Sequence, residues 1–253
     1  MKKISWILIL LACNPRIPVK EGTLPPSHDT WNSLLNQHVN TQGLVDYPGF
    51  NRDSLLLTEY VEDLLTAPPN ESHWGVNDRL AYWINLYNAA TVLLVTRNFP
   101  VKSIKDIGPS WQLPRINTPW QISWLQINDH QYSLDDLEHS IIRENFEEPR
   151  IHFALVCAAL SCPSLRNEAY TGEQLEEQLS SQTRTFLRDS KKNLITENTA
   201  SLSKIFLWYR MDFEKRQTLT SFLNKYSDIK IHDDVSIDFL EYNWALNQQN
   251  QKH

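Results

Sequence analysis

DRLAYWINLYNAATVLLVTRN, residues 78–98, is the stretch that most strongly determines the fold. Apolar side chains such as Leu80 and Ile84 recur near the 3.6-residue period of a helix. Leu93 and Val95 extend the apolar face beyond a single stripe, which is typical of a helix covered on most of its sides. The pattern predicts a long, buried central helix over residues 78–98.

The chain on the C-terminal side of this helix changes from one periodicity to another. Apolar and polar residues alternate over residues 120–133 around the turn-forming pair Asn128-Asp129, which predicts a β-hairpin. The hydroxyl of Ser133 and the acidic residues after it favour the start of a helix, which we expect to run to about Asn145. Residues 150–160 form a nearly continuous apolar run whose period does not decide between helix and strand.

The number and placement of these elements favour an α+β fold. Strands are too irregularly placed for a repeated β-α-β unit, and no internal repeat or low-complexity linker divides the chain. We therefore expect a helix-rich single domain over residues 29–248 with a small antiparallel sheet, followed by a tail at residues 249–253.

The composition excludes several classes of protein. With 253 residues, of which 41% are hydrophobic and 21% charged, the chain has an ordinary globular composition. The net charge is −6 and no long basic run occurs, so we expect no nucleic-acid partner. Only 6 glycines are present and none of them belongs to a phosphate-binding loop, so we expect no nucleotide, and no other cofactor is indicated.

The N-terminus has the layout of an export signal. Met1-Lys2-Lys3 is followed by the apolar run Ile4–Ala12, which is shorter than the roughly 20 residues that a membrane span requires. Leu10-Leu11-Ala12-Cys13 resembles the bacterial lipobox, in which the cysteine thiol receives a diacylglyceryl group. We expect a signal peptide at residues 1–12 and lipidation of Cys13. The alternatives are an ordinary cleaved signal peptide or a buried strand of a cytosolic protein.

The residues that follow indicate where the protein is held. Residues 13–28 contain four of the 13 prolines and no periodic apolar face, which predicts a tether between the lipid and the folded domain. Asn14 stands where an aspartate would favour retention at the inner membrane. In a Gram-negative host we therefore expect an exported protein whose membrane partner is reached through Cys13, on the periplasmic face of the outer membrane.

One stretch contains most of the residues that are capable of chemistry. DDLEHSIIRENFEEPRIHFALVCAALSCPSL, residues 135–165, includes Glu138, His139, His152, Cys157 and Cys162. A cysteine activated by a histidine, which a carboxylate orients, is the arrangement used in thiol-dependent acyl transfer and amide hydrolysis. We expect Cys162 to attack, because Pro163 favours the first turn of a helix and a helix N-terminus lowers a thiol pKa.

The other roles in this hypothesis go to neighbouring motifs. Glu138 would orient the general base, which is either His139 or His152. Asn85 or Asn88 would stabilise the oxyanion. Papain-like enzymes have the histidine after the cysteine in the chain, whereas the candidate histidines here precede it, so a different architecture is required.

Three alternatives remain open for the same residues. In an oxidising compartment Cys157 and Cys162 would form a structural disulfide. Their spacing separates the α-carbons by about 7.5 Å along a regular helix, so this bond requires the chain to turn. A metal site formed by the two histidines and two cysteines has suitable ligands in a spacing that we do not relate to zinc geometry, so no metal is predicted. A buried histidine such as His152 also occurs simply as a hydrogen-bonded core residue.

Five segments of the chain resemble one family. They are AYWINLYNAAT (81–91), SLDDLEHSIIR (133–143), PRIHFALVCAALSCPSLRNEAYTGEQLEEQL (149–179), LSKIFLWYRMDF (202–213) and EYNWALN (241–247). In this order they resemble the domain-of-unknown-function family 547, which occurs in bacterial exported proteins and in plant proteins with a leucine-zipper region. Ala159 stands where the family often has serine, and Asn243 where it often has aspartate. The resemblance implies an α+β domain and supplies no established reaction.

The same motifs contain the polar residues that we expect to bind a ligand. They are Asn85, Asn88, Arg143, Arg150, Lys204, Tyr209 and Asp212. The aromatic residues among them predict a polar pocket with walls from Trp83, Tyr87, Trp208 and Phe213. The alternative is a buried hydrogen-bond network in which the same residues hold helices together.

Two functions from different classes follow as expectations. The first is an envelope enzyme that carries out thiol-dependent acyl transfer or amide hydrolysis. The second is a non-catalytic envelope module, a scaffold or a binder of a peptide, glycan or small molecule, which the Cys157–Cys162 disulfide stabilises.

Overall fold

In a computed structural model of the chain, the structure describes residues 24–108, 118–232 and 234–249. The expected signal peptide, the lipidation site Cys13 and most of the tether lie outside the described residues, as does the tail after residue 249. Residues 24–28 are described and have no regular secondary structure. Within the described ranges, no helix combines the length and the apolar character that crossing a bilayer demands.

The N-terminal part of the described chain is helical. Its helices are α1 (Asp29–His38), α2 (Tyr47–Arg52), α3 (Ser54–Thr66) and α4 (Val76–Asn98). Helix α4 confirms the predicted central helix, and every residue from Leu80 to Thr96 is buried. It packs against α2 and α3, which explains why its apolar residues extend around most of its circumference.

The middle of the chain contains the predicted hairpin and the helix after it. Strands β1 (Leu125–Ile127) and β2 (His130–Tyr132) pair antiparallel, and Asn128 in the turn has a φ of 51°, a conformation that asparagine tolerates better than most residues. Helix α5 consists of a π-helical segment, Asp136–Ile142, and an α-helical turn, Arg143–Asn145.

The start of α5 is stabilised as its sequence predicts. The hydroxyl of Ser133 accepts a hydrogen bond from the backbone N–H of Asp136, and the Asp136 carboxylate accepts one from the backbone N–H of Ser133. This reciprocal cap satisfies two donors that the helix itself leaves unpaired.

The C-terminal half mixes short helices and strands. Its elements are α6 (Ile151–Ala154), α7 (Leu175–Arg188), β3 (Leu194–Ile195), β4 (Thr199–Leu202), α8 (Ile205–Trp208), α9 (Arg210–Glu214), α10 (Leu219–Tyr226) and β5 (Ser236–Phe239). The second sheet has the order β3-β4-β5. The fold class, a helix-rich α+β domain, is confirmed. The first sheet is antiparallel, whereas the second also contains a parallel pair, β4 with β5.

The core consists of two hydrophobic clusters. The first surrounds α4 and includes Trp31, Tyr82 and Leu137. The second is rich in phenylalanine and packs α7 against α8, α9 and α10. Phe153, on α6, belongs to this second cluster, although the residues beside it in the chain pack in the first. The segment after α6 therefore lies where the two clusters meet.

The last described residues, 242–249, cross several distant parts of the fold. They form isolated β-bridges through Gln248 with Val45, through Ala245 with Ser103 and through Leu246 with Ala159. The Tyr47 hydroxyl also donates a 2.8 Å hydrogen bond to the Asn247 side chain. These contacts hold the segment beside the stretch that contains both cysteines.

Candidate functional site

A cavity of about 650 Å³ lies between α5, α8 and the segment after α6. Nine of its lining residues are ones that the sequence analysis selected for the site or its walls. They are Tyr87, Glu138, His139, Arg143, His152, Cys157, Cys162, Trp208 and Tyr209. Separate helices and an irregular loop therefore bring these side chains to one hollow.

The two cysteines contact each other in this cavity as free thiols. The backbone N–H of Cys157 lies 2.7 Å from Sγ of Cys162, and the Cys162 thiol helps to lower the pKa of Cys157. Between them Ala158 has a φ of 61°, in the left-handed region that non-glycine residues seldom adopt. The chain thus turns where a regular helix would have separated the thiols.

The surroundings of the two thiols differ. Burial raises the pKa of Cys157, but hydrogen bonds from the Cys162 thiol, the Tyr242 hydroxyl and the Ala159 backbone N–H outweigh burial and leave its pKa below the ordinary value. The Tyr242 oxygen lies 3.3 Å from Sγ of Cys157. Burial and the neighbouring Cys157 raise the pKa of Cys162 well above the ordinary value. Cys157 is therefore the thiol that more readily becomes a thiolate.

The expected helix N-terminus at Cys162 is wrong. No helix begins at Pro163, and the next helix in the described chain, α7, begins at Leu175. Cys162 is also only 3% exposed. The feature that was expected to activate Cys162 is absent, and hydrogen bonds activate Cys157 instead.

His152 is held by a carboxylate that the sequence did not assign to it. Nε2 of His152 lies 2.7 Å from Oδ2 of Asp212, and the Tyr209 ring stacks on the imidazole with centroids 3.8 Å apart. The expectation that Glu138 orients this histidine is therefore wrong. Asp212 takes that role because α9 places it beside α6.

Arg143 completes the group around Asp212. Its Nε and Nη2 donate to the two carboxylate oxygens at 2.7 and 2.9 Å. Burial raises the pKa of Asp212, but the hydrogen bonds from His152 and Arg143 lower it well below its usual range. Burial lowers the pKa of His152. We assign a neutral imidazole, because Arg143 already neutralises the carboxylate, with the proton on Nε2 and a lone pair on Nδ1.

Glu138 and His139 have partners of their own. Glu138 is 8% exposed, and its Oε2 accepts a 3.3 Å hydrogen bond from the Tyr87 hydroxyl. Burial and the Glu138 carboxylate raise the pKa of Tyr209. His139 is exposed, and its Nδ1 accepts from Nη1 of Arg143 at 2.9 Å. Glu138 thus accepts its hydrogen bond from a tyrosine rather than from a histidine.

The two asparagines of α4 do not face the cavity. Asn88 donates to the Ala154 carbonyl at 2.9 Å and accepts from the Val156 N–H at 2.9 Å. Asn85 makes the same pair of bonds with the carbonyl and the N–H of Tyr170, at 2.7 and 3.0 Å. The expected oxyanion role is wrong for both, because their donors are used by the backbone.

Two charged residues that we expected to bind a ligand lie elsewhere. Arg150 is 7% exposed and donates to Glu148, Glu176 and Ser180. Lys204 forms a 3.1 Å ion pair with the exposed Glu241. Neither of the two lines the cavity. Both are therefore explained by structural contacts.

Two of the expected wall residues are also core residues. Trp83 packs edge-on against Tyr82 in the first cluster. Phe213 packs on Phe206 and Phe222 in the second. Of the four predicted wall residues, only Tyr87 and Trp208 line the cavity.

Apart from Trp208, sequence reasoning missed one side of the cavity. Trp120, Trp208, Tyr242 and Trp244 form an aromatic wall in which ring centroids lie 4.5 to 5.9 Å apart. Lys105 lies over the Trp244 ring at 3.5 Å, and burial lowers its pKa. The EYNWALN motif contained Tyr242 and Trp244 and was the one available indication, but it carries no spacing that points to a site.

A metal site built from the histidines and cysteines has no geometric support. In the part of the chain that the structure describes, no group of three or more histidine, cysteine or acidic side chains is arranged to hold a metal ion. The polar residues of the cavity bind one another instead.

The comparisons with known proteins give one result. No curated protein and no solved structure matches the chain. A family model described as a protein of unknown function, DUF547, matches residues 72–187. This range contains Glu138, His139, His152 and both cavity cysteines, whereas Asp212 and Tyr242 lie outside it. Residues 72–187, a little under half of the chain, therefore match the DUF547 family, in agreement with the resemblance of its motifs.

Proposed function

We propose that this chain is an exported, lipid-anchored protein of the cell envelope that catalyses thiol-dependent acyl transfer or amide hydrolysis. Cys157 is the nucleophile and His152 is the general base. The observation that carries the proposal is that the more acidic thiol and a neutral histidine, itself oriented by Asp212, line the same cavity. A nucleophile, a base and an orienting carboxylate are the minimum set for this chemistry.

The first step transfers an acyl group to the enzyme. The proton of the Cys157 thiol passes to Nδ1 of His152, and Sγ forms a bond to the carbonyl carbon of the substrate. The C–N bond then breaks, and His152 returns the proton to the leaving amine. Water or an acceptor amine attacks the thioester with His152 again as base, which releases the acyl group.

Two side chains are suited to stabilise the oxyanion in place of the asparagines. The Lys105 ammonium lines the cavity and interacts electrostatically with Cys157. Burial and Cys157 raise the pKa of Tyr242 well above the ordinary value, so its hydroxyl stays protonated as a donor. Donors that are fixed before the reaction stabilise a developing negative charge most effectively.

The test of the enzyme is the formation of an acyl-enzyme. The full chain with Cys13→Ser in every sample is incubated with p-nitrophenyl esters and peptide p-nitroanilides, and its intact mass is followed. We expect an acyl adduct on Cys157, absent from Cys157→Ser and slower to form in His152→Gln. Cys162→Ser is the matched control and keeps the adduct. An adduct that persists in Cys157→Ser would rule out the mechanism.

The test of the anchor is metabolic labelling with a fatty acid. We expect the wild-type chain to incorporate the label and Cys13→Ala to lose it. Label that remains in Cys13→Ala, or no label in the wild type, would contradict lipidation of Cys13.

A second candidate, a non-catalytic binding module, is favoured by the aromatic wall. Trp208 is 44% exposed at a cavity whose other walls carry hydrogen-bonding groups, and this combination suits a sugar ring of a glycan. A titration with glycan fragments followed by tryptophan fluorescence distinguishes the two functions. Binding that is unchanged in Cys157→Ser, without any acyl adduct in the wild type, supports the module.

A further inference from the structure

The contact between the two cavity thiols goes beyond what acyl transfer requires. A nucleophilic cysteine needs a base and an oxyanion site, and a second thiol beside it has no role in that chemistry. Sγ of Cys162 nevertheless accepts a 2.7 Å hydrogen bond from the backbone N–H of Cys157. It is 3% exposed, whereas Cys157 is only partly buried.

We propose that Cys157 and Cys162 form a reversible dithiol–disulfide pair, in which Cys157 attacks an external disulfide and Cys162 resolves the mixed disulfide. This activity is independent of the proposed acyl chemistry, because it needs neither the base nor the oxyanion donors. The ligand class is an accessible disulfide, either of a small thiol or of a protein.

The unequal burial of the sulfurs assigns their order of action. Cys157 lines the open cavity, so an external disulfide reaches it first. Cys162 lies behind it, with Sγ 4.0 Å from the Leu155 carbonyl oxygen and covered by the first hydrophobic cluster. The lowered pKa of Cys157 and the raised pKa of Cys162 agree with this order.

The exchange balances in two steps. The Cys157 thiolate attacks one sulfur of R–S–S–R′, so that a Cys157–S–S–R bond forms and R′–S⁻ leaves and is protonated. Cys162 then transfers its proton to the departing R–S⁻ while its sulfur bonds to Sγ of Cys157. The external disulfide gains two electrons and becomes two thiols, and the cysteine pair loses two electrons and becomes a disulfide.

The loop between the cysteines is held in a shape that favours this closure. The N–H of Leu160 donates to the Ala245 carbonyl at 2.8 Å, and the N–H of Ser161 to the Asn243 carbonyl at 3.1 Å. The N–H of Cys162 donates to the Ala159 carbonyl at 3.1 Å. Since the turn already exists in the dithiol state, the formation of the disulfide requires little further ordering of the chain.

The experiment uses the full chain with Cys13→Ser, so that two thiols remain. The protein is equilibrated in buffers with different ratios of reduced to oxidised glutathione, quenched with acid and analysed by intact mass after maleimide labelling. We expect dithiol and disulfide forms whose ratio follows the glutathione ratio from either direction. In oxidised glutathione, Cys162→Ser should accumulate one glutathionyl adduct at least about ten-fold faster than Cys157→Ser, because Cys157 is the more exposed of the two thiols.

Three outcomes would overturn the proposal. The pair stays a dithiol in oxidised glutathione alone, the disulfide resists excess reduced glutathione in the folded protein and is therefore structural, or the two single variants form adducts at equal rates. The first two outcomes are measured on the Cys13→Ser chain, which keeps both Cys157 and Cys162, so poor folding of a cavity variant does not affect them. Failure of the acyl-enzyme test leaves these measurements unchanged, and failure here leaves the acyl adduct of Cys162→Ser unchanged.

Discussion

The asparagines of α4 and the polar group around Asp212 are both sets of buried or half-buried polar side chains, but their hydrogen-bond partners differ. Asn85 and Asn88 hydrogen-bond to backbone groups of other segments. His152 and Arg143 hydrogen-bond to one carboxylate at the wall of a cavity. A buried polar residue is thus identified as structural or functional by its partners and not by its type.

The asparagines also explain how the cavity keeps its shape. Asn88 fixes residues 154–156, directly before the cysteine loop, and Asn85 fixes Tyr170 after it. Both are anchored in α4, the most thoroughly buried helix of the described chain. The most buried helix therefore holds the segments on both sides of the loop that contains the two cysteines.

The largest expected effect is the loss of an asparagine clamp, a side chain of α4 that hydrogen-bonds both a carbonyl and an N–H of another segment. Asn88→Ala leaves the Ala154 carbonyl and the Val156 N–H buried without their partner, which should lower the free energy of unfolding by about 3 kcal/mol. Chemical denaturation measures this change. The matched control is Asn36→Ala, since the Asn36 amide donates to a carbonyl on an exposed helix surface, and we expect a loss of less than about 0.5 kcal/mol. Equal losses in the two variants would refute the clamp.

The next largest effect is expected at Arg150, a buried charged residue whose hydrogen bonds, like those of the asparagines, go to structural partners. Arg150→Met removes a buried guanidinium from its ion pairs with Glu148 and Glu176 and should lower the free energy of unfolding by about 2 kcal/mol. This loss is below the usual value for a buried ion pair because Glu176 is mostly exposed. The Cys157 alkylation rate should not change, since Arg150 does not line the cavity. In the control Arg188→Met, which breaks the exposed pair with Asp228, denaturation should resolve no difference. A changed alkylation rate in Arg150→Met would place this residue in the site after all.

The polar group around Asp212 should show itself in the dependence of stability on pH. His152 has an ordinary pKa of 6.5, which burial lowers in the folded state. Its contribution to the free energy of unfolding is therefore complete above pH 6.5 and is lost as the pH falls below that value, because the unfolded chain then binds the proton more readily. Asp212 has an ordinary pKa of 3.8, which its hydrogen bonds lower despite burial, so its contribution is lost below about pH 4. Glu138, Arg143, Tyr209 and Phe213 are the groups that surround this pair.

Urea denaturation across this pH range measures both contributions. His152→Gln should weaken the phase at higher pH, to which His28 also contributes because burial lowers its pKa to about 4. Asp212→Asn should weaken the phase at lower pH, which it shares with carboxylates such as Glu168 and Glu176 whose pKa values are also lowered. A wild-type stability that is flat between pH 7 and pH 4, or that changes identically in both variants, would show that this group does not titrate as described.

The smallest expected effect is at Lys204, where the sequence predicted ligand binding. Its ion pair is formed with an almost fully exposed Glu241, and such pairs contribute about 0–1 kcal/mol. Lys204→Ala should therefore leave both the stability and the Cys157 alkylation rate unchanged within error. A marked loss of ligand binding or alkylation would restore the sequence-based assignment.

The sequence predicted those features that local periodicity and capping determine. The central helix, the hairpin at Asn128 and the cap at Ser133 were found as expected, since each depends on a few neighbouring residues. The candidate catalytic residues Glu138, His139, His152, Cys157 and Cys162, which lie close together in the chain, were found at one cavity.

The features that depend on distant residues were not predictable. Asp212 and Tyr242 lie 60 and 85 residues from the groups that they contact, and no local pattern relates such pairs. The apolar run at residues 150–160 did not decide between helix and strand because its residues pack in two different hydrophobic clusters. Apolar side chains are then needed on more than one side of the chain, so they follow one another without a regular period. The asparagine clamps were mistaken for site residues because motif membership does not reveal a backbone partner.

The crossing segment at residues 242–249 has a consequence for how the acidity of Cys157 depends on folding. Tyr242 lies 85 residues after Cys157 in the chain, and with Trp244 it supplies a hydroxyl and part of the aromatic wall around the sulfur. Until this segment docks beside the cysteines, Cys157 lacks one of the donors that lower its pKa. The acidity of this thiol is therefore a property of the folded chain and not of the local sequence.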